Sequence, residues 1–180
     1  MTDKNNSLPI DASSMQQLLD HQLITDQLHR YARAMDRIDN TLGRSVFHED
    51  ALADYGEIYQ GTGHGFVEWV SEMHKTLLTH AHLLGNILIC IDGNRAGSET
   101  YVSVEARFAD ENQLLIGLTS RGRYIDQWEK REDGVWRISH RRYIQEMDAS
   151  APVTSTYDTA GSRDREDPSY EVLNLDARQT

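Results

Sequence analysis

Thr79-His80-Ala81-His82-Leu83-Leu84-Gly85-Asn86-Ile87-Leu88-Ile89-Cys90-Ile91 runs into Asp92-Gly93-Asn94, and this stretch decides the fold. Upstream of it the apolar residues recur at helical spacing; from Thr79 the period becomes that of extended chain. The run predicts one long strand, about 79–91, that Asp92-Gly93-Asn94 turns back into a second, about 96–108. Ala109-Asp110-Glu111-Asn112 leads to a third strand, about 113–131, and Asp133-Gly134 is a tight turn into a fourth, about 135–146.

Working back from Thr79, Phe66, Trp69, Val70, Met73 and Leu77 mark a helix. Gly61-Thr62-Gly63-His64-Gly65 reads as a flexible turn and residues 52–59 as a strand. A short helix of about 40–47 brings Leu42, Val46 and Phe47 inward. The first helix spans 15–35, with Ile24, Leu28, Tyr31, Ala32 and Met35 as its buried stripe and Ser13 or Ser14 as its cap. Three helices followed by a meander of long strands is an α+β layout, a curved, mostly antiparallel sheet wrapped over helices. The βαβ alternation of a parallel sheet is absent.

The chain has 180 residues and 20.6 kDa, enough for one domain with a substantial core. Its 18 basic against 29 acidic residues leave a net charge of −11. With no Lys/Arg run, that balance argues against nucleic acid and against an anionic membrane surface as partners. The single cysteine, Cys90, excludes an internal disulfide framework and a cysteine-rich zinc site. Residues 1–6 are polar with no apolar h-region, and the longest apolar run, 83–91, is broken by Gly85 and Asn86. A soluble, cytoplasmic protein is expected. Pro9, Pro152 and Pro168 leave the body free of proline. The composition turns to Ser, Thr, Asp and Arg near its end, dividing the chain into an extension (1–14), a domain (15–147) and an acidic tail (148–180). Tyr157, Tyr170, Val172, Leu173 and Leu175 are the tail residues able to order it against a neighbour.

No nucleophile elbow, P-loop or dinucleotide fingerprint occurs, so covalent catalysis has no support. His80 and His82 are two apart and share one side of a strand. They lack a third ligand at a suitable spacing, so no metal site is expected, and one of them can serve a cavity as acid or base. Asp36 lies at the wrong end of the helix dipole for a carboxylate. Tyr31 sits on the apolar stripe as an aromatic whose hydroxyl needs a partner. On the last strand, strict alternation puts Arg137, Ser139, Arg141 and Tyr143 on one face and Trp136, Ile138, His140 and Arg142 on the other.

These pieces resemble a SnoaL-like domain of the nuclear transport factor 2 superfamily. The likeness rests on Tyr31-Ala32-Arg33-Ala34-Met35-Asp36, Phe47-His48-Glu49-Asp50-Ala51 and Asp54-Tyr55-Gly56. It continues through Thr79 to Asn86, Gly122-Arg123-Tyr124-Ile125-Asp126 and Asp133-Gly134-Val135-Trp136-Arg137-Ile138. It implies a cone-shaped α+β half-barrel with a deep apolar pocket. Within the superfamily the chain is most similar to the cofactor-free lyases: hexachlorocyclohexane dehydrochlorinase, bile-acid 7α-dehydratase and, more distantly, scytalone dehydratase. The resemblance implies a catalytic Asp36–His82 dyad assisted by Tyr31, with Arg141 or Arg137 as the oxyanion or leaving-group contact. Tyr55, Trp69, Leu84, Phe108 and Tyr124 are candidate pocket walls. The implied function is cofactor-independent elimination of water, or a similar leaving group, from a hydrophobic polycyclic or aromatic substrate such as a hydroxysteroid. A polyketide cyclase or isomerase, and a non-catalytic small subunit like that of ring-hydroxylating dioxygenases, are the alternatives. By the same resemblance a homotrimer is expected.

Overall fold

Asp11, rather than Ser13 or Ser14, caps the first helix, because its carboxylate accepts the backbone N–H of Ser14 at 2.7 Å. The computed structural model of the protein describes residues 11–154 and 161–173. In it α1 (Ala12–Arg37) buries Ile24, Leu28, Tyr31, Ala32 and Met35, as their spacing predicts, while Met15, Leu18, Leu19 and Leu23 stay exposed. Ile38 ends the helix in the left-handed region (φ 53), its N–H shared by the carbonyls of Ala34 and Met35. The chain then turns at once into α2 (Asn40–Ser45), capped by Asp39 on the N–H of Leu42 at 3.0 Å.

The segment after α2 departs from expectation. Strand β1 (Phe47–Asp54) starts five residues before the predicted 52–59, and residues 55–59 form a turn into the short β2 (Gln60–Thr62). The cause is non-local: β1 runs parallel to the last strand, with Phe47 opposite Ile138 and Leu52 opposite His140. Thr62 then caps α3 (Gly63–Lys75) through the N–H of Gly65. The predicted turn at 61–65 is therefore part strand and part helix.

From Thr79 the meander is as expected. Strands β3 (Thr79–Asp92), β4 (Arg95–Ala109), β5 (Leu115–Lys130) and β6 (Trp136–Pro152) pair in succession. Gly93 (φ 57) and Gly134 (φ 71) supply left-handed turn residues between β3 and β4 and between β5 and β6. The last strand runs to Pro152, beyond the predicted 146, because the first half of β5 takes it as partner: Ile116 lies opposite Pro152. The six strands form a curved, unclosed sheet in the order β2-β1-β6-β5-β4-β3, with only β1–β6 parallel. Helices pack against it over Trp128, Trp136, Phe47, Ile138, Val46 and Val67. Among the described residues no helix is long and apolar enough to cross a membrane.

Two bulges bend β6 against β5. One skips Ser139: Gln127 faces His140, but Trp128 faces Ile138. Trp136, Ile138 and Arg141 consequently all point into the core, against the strict alternation read from the sequence. The other skips Glu146 beside Gly122. A Cβ on Gly122 would run into the Ile144 carbonyl and meet the Tyr143 ring at 2.5 Å. Gly122→Ala is therefore expected to cost about 1–3 kcal/mol, read as a lower urea midpoint with an unchanged slope. An unaltered midpoint would show that β6 yields there without strain.

The C-terminal segment carries a short helix, α4 (Pro168–Leu173), which packs on its own chain. The Tyr170 hydroxyl donates to Asp39 at 2.9 Å, and its ring lies 4.8 Å from the Arg33 guanidinium. Val172 and Leu173 are exposed; Tyr157 and Leu175 lie outside the described residues.

Candidate active site

Strand β3 is an edge of the sheet, so alternate N–H groups along it face away from β4 and need another acceptor. The end of α1 lies along that edge and supplies one. Asp36 accepts the backbone N–H of His82 on both carboxylate oxygens, each at 3.1 Å, and the His82 ring Nδ1 reaches its Oδ1 at 2.7 Å. A carboxylate at the negative end of a helix dipole thus has three N–H contacts from one residue to offset its position. A carboxylate can only accept, so Nδ1 carries the proton and Nε2 carries the lone pair. Nε2 has no hydrogen-bond partner among the described residues. Both side chains are largely sealed, 6% exposed for His82 and 15% for Asp36.

His80 lies on the same side of β3, as the two-residue spacing predicts, but does another job. Its Nε2 donates to the Met35 carbonyl at 2.8 Å, and its Nδ1 accepts from Arg163 at 3.2 Å. Its Nε2 is 3.9 Å from Asp36 Oδ1. Asp36, His80 and His82 offer ligand atoms within 4.8 Å of one another. Both nitrogens of His80 and the Nδ1 of His82 are already committed, however, so this donor set does not converge on a cation.

His74 lies behind them, its ring centroid 4.2 Å from that of His80 and tilted by 43°. Burial, with the neighbouring His80 and His82, pulls the His74 pKa down to about 3; burial also lowers that of His80. An unfolded histidine titrates near 6.5. Between those values the unfolded chain takes up a proton that folded His74 refuses, so this stability is complete above pH 6.5 and is lost as pH falls toward 3. By pH 5 the loss is about 2 kcal/mol from His74. Urea unfolding at pH 7 and pH 5 measures it, and His74→Phe is expected to flatten the dependence. An unchanged slope in that variant would assign the acid sensitivity to other groups.

Tyr31 and Arg141 form a second group, one turn back on α1 and across on β6. The Tyr31 and Tyr55 hydroxyls are 2.8 Å apart. Burial raises the Tyr31 pKa against the opposing charge of Arg141, so the phenol is neutral and able to donate. Arg141 lies between the Tyr31 and Tyr124 rings, 4.1 and 4.0 Å from their centroids, and binds Asp126 through two 2.7 Å hydrogen bonds. Burial opposes its charge, but Asp126, together with Tyr55 and Tyr31, holds its pKa well above the ordinary value. Its third nitrogen, Nη1, is buried and has no hydrogen-bond partner among the described residues. Arg137 instead faces outward on Asp133 at 2.5 Å.

Of the predicted walls, Tyr55 and Tyr124 are in the aromatic core, and Tyr55 stacks on Phe66 at 3.8 Å. Leu84 packs against the hydrophobic core and lines, with Ala32, Arg33, Asp36, His82 and Leu83, a cavity of about 370 Å³ at the dyad. Trp69 is not brought there; it is 39% exposed on α3. Phe108 lies near the far end of β4, opposite Ile116, outside the core cluster. Asp126 escaped the sequence reading, although an acid alternating with Gly122, Tyr124 and Trp128 on one strand face was a signal for a buried ion pair. Arg163 escaped because nothing local ties it to His80, 83 residues away.

A family model described as a SnoaL-like domain matches residues 16–142. An uncharacterised protein of Mycobacterium tuberculosis is 32% identical over 136 residues, covering 73% of this chain and 82% of the relative. The solved hexachlorocyclohexane dehydrochlorinase LinA-type3 from Novosphingobium barchaimii superposes with a TM-score of 0.68 at 14% identity, covering 81% of this chain and 97% of that one. A nuclear transport factor 2-like superfamily protein from Salmonella enterica gives 0.61 at 23% identity, covering 81% and 99%.

Proposed function

This chain belongs to the SnoaL-like domain family, and from that premise we propose that it is a cofactor-independent lyase working through an Asp36–His82 dyad. The observation that carries this reading is the 2.7 Å bond from His82 Nδ1 to Asp36, which leaves Nε2 as the unpaired base. Asp36 holds the tautomer and stabilises the imidazolium that forms when Nε2 takes a proton from substrate. Neutral Tyr31 donates to the departing oxygen or halide, and the unpartnered Nη1 of Arg141 meets charge developing there. Leu83 and Leu84 beside the dyad, and the tyrosines behind it, favour an apolar polycyclic or aromatic substrate. A hydroxysteroid is one such molecule.

The test is turnover of a panel of hydroxysteroids, hydroxylated aromatics and chlorinated cycloalkanes, followed by mass for loss of water or hydrogen chloride. Elimination from at least one member, abolished by His82→Ala, is the expected result. A panel that yields only ring closure or double-bond migration would replace the lyase with a cyclase or isomerase. Homotrimer formation, which light scattering reads directly, belongs to the same proposal.

A further inference from the structure

Arg33 and Arg37 line a second cavity as well as the dyad opening. This one, about 550 Å³, lies between α1, the start of β3 at Thr79 and His80, and the C-terminal segment with Ser162, Arg163 and Asp167. Three arginines face one aspartate there, in a chain whose net charge is −11. Asp167 is spent on Arg37, at 2.9 Å, and on the backbone N–H groups of Ser162 and Ser169, both at 3.1 Å. Arg163 gives its N–H groups to neutral acceptors: the carbonyls of His74 and Leu77, and the His80 ring. No carboxylate among the described residues pairs with Arg163 or with Arg33.

Arg33 is the more telling of the two. Its Nε and Nη2 are buried and have no hydrogen-bond partner among the described residues. These two nitrogens form the side-on edge of the guanidinium, and in Arg141 the same edge takes both oxygens of Asp126 at 2.7 Å. A charged donor edge shut from water without an acceptor is costly to a fold unless an acceptor arrives. A planar fork of this kind matches the oxygen spacing of carboxylate and phosphate.

We infer that this cavity is an oxyanion site, in which Arg33 binds a carboxylate or phosphate group side-on while Arg163 and Arg37 supply the surrounding positive charge. The anion has two sources, a free one such as inorganic phosphate and the acidic end of a larger apolar molecule. The second follows from the shared arginines: a ligand anchored at Arg33 extends along Leu83 and Leu84 to His82, all of which line the adjoining cavity. That extension rests on the lyase reading; the site itself does not.

Titration of the ¹⁵N-labelled full chain at constant ionic strength tests both sources through the Nε–Hε resonance of Arg33. Inorganic phosphate and acetate are the free anions; 2-naphthoate and its neutral methyl ester are the apolar pair. Saturable movement with phosphate or acetate, beyond a sodium chloride control, is the expected result, with binding weakened about tenfold or more in Arg33→Gln, where the Nε–Hε resonances of Arg37 and Arg163 take over as the probes. Naphthoate binding about tenfold tighter than acetate while also shifting His82, with the ester silent at Arg33, assigns the site to the anionic end of a larger ligand. Phosphate bound more tightly than naphthoate assigns it to a free anion. If no anion moves Arg33 beyond chloride, the inference is overturned on the unaltered protein, whatever the folding of the variant. It is equally overturned if Arg33→Gln binds as well as the parent. These readouts need no turnover, so an inactive panel would sink the lyase reading and leave this one standing.

Discussion

Asp36→Asn is expected to lower turnover by about 10⁴ while leaving a folded protein. The carboxylate receives three N–H contacts, all from His82. An amide offers one oxygen and one NH₂, so at least one contact becomes donor against donor. With NH₂ toward the ring, Nδ1 must give up its proton and Nε2 becomes a donor, which removes the base. With NH₂ toward the backbone, the tautomer survives but the imidazolium loses its compensating charge. The lost contact also costs about 1–3 kcal/mol of stability, so a thermal melt must accompany the kinetics. His82→Ala is expected to fall as far, and the double variant no further, because the two residues act as one unit. Measuring kcat and KM separately on the substrate found by the panel checks this, with the loss expected in kcat. Full activity in either single variant would end the dyad assignment.

Local periodicity carried α1 and the hairpins: the stripe from Ile24 to Met35 is buried, and Gly93 and Gly134 turn the chain where expected. Spacing alone put His80 and His82 on one side of a strand. Contacts between distant segments were not readable in the same way. The parallel pairing of β1 with β6 joins residues some ninety positions apart, as in Phe47 with Ile138, and no local feature of Phe47-His48-Glu49-Asp50 announces it. The 46-residue separation of Asp36 and His82 is of the same kind; family resemblance, not spacing, pointed to that pair. A single skipped residue, Ser139, reversed the parity of β6, so the arginine placed opposite Trp136 by alternation shares its side. In the acidic tail, Tyr170 is legible as an ordering residue and bonds Asp39, whereas the attachments of Arg163 to His80 and of Asp167 to Arg37 are contacts between distant segments that its polar composition does not announce.

Asp126→Leu is expected to destabilise the protein by about 3–5 kcal/mol, because it leaves the Arg141 charge buried without a counter-ion. Both side chains of the pair are fully inaccessible, and the guanidinium lies between two tyrosine rings where no water can replace the lost carboxylate. Arg141→Met removes the other charge and is expected to cost a similar amount, since Asp126 would then be the orphan. The double variant Arg141→Met/Asp126→Leu leaves no charge at all, and apolar groups of similar volume recover most of the loss. Urea unfolding of the four proteins closes the cycle. Activity separates structure from chemistry, because the pair already satisfies Nε and Nη2 while Nη1 remains unpartnered. A double variant that is stable but slow, with the loss in kcat, places Nη1 at the developing charge. If stability and turnover recover together, Arg141 is an ion that shapes the Tyr31–Tyr124 wall, and Tyr31 alone meets the leaving group.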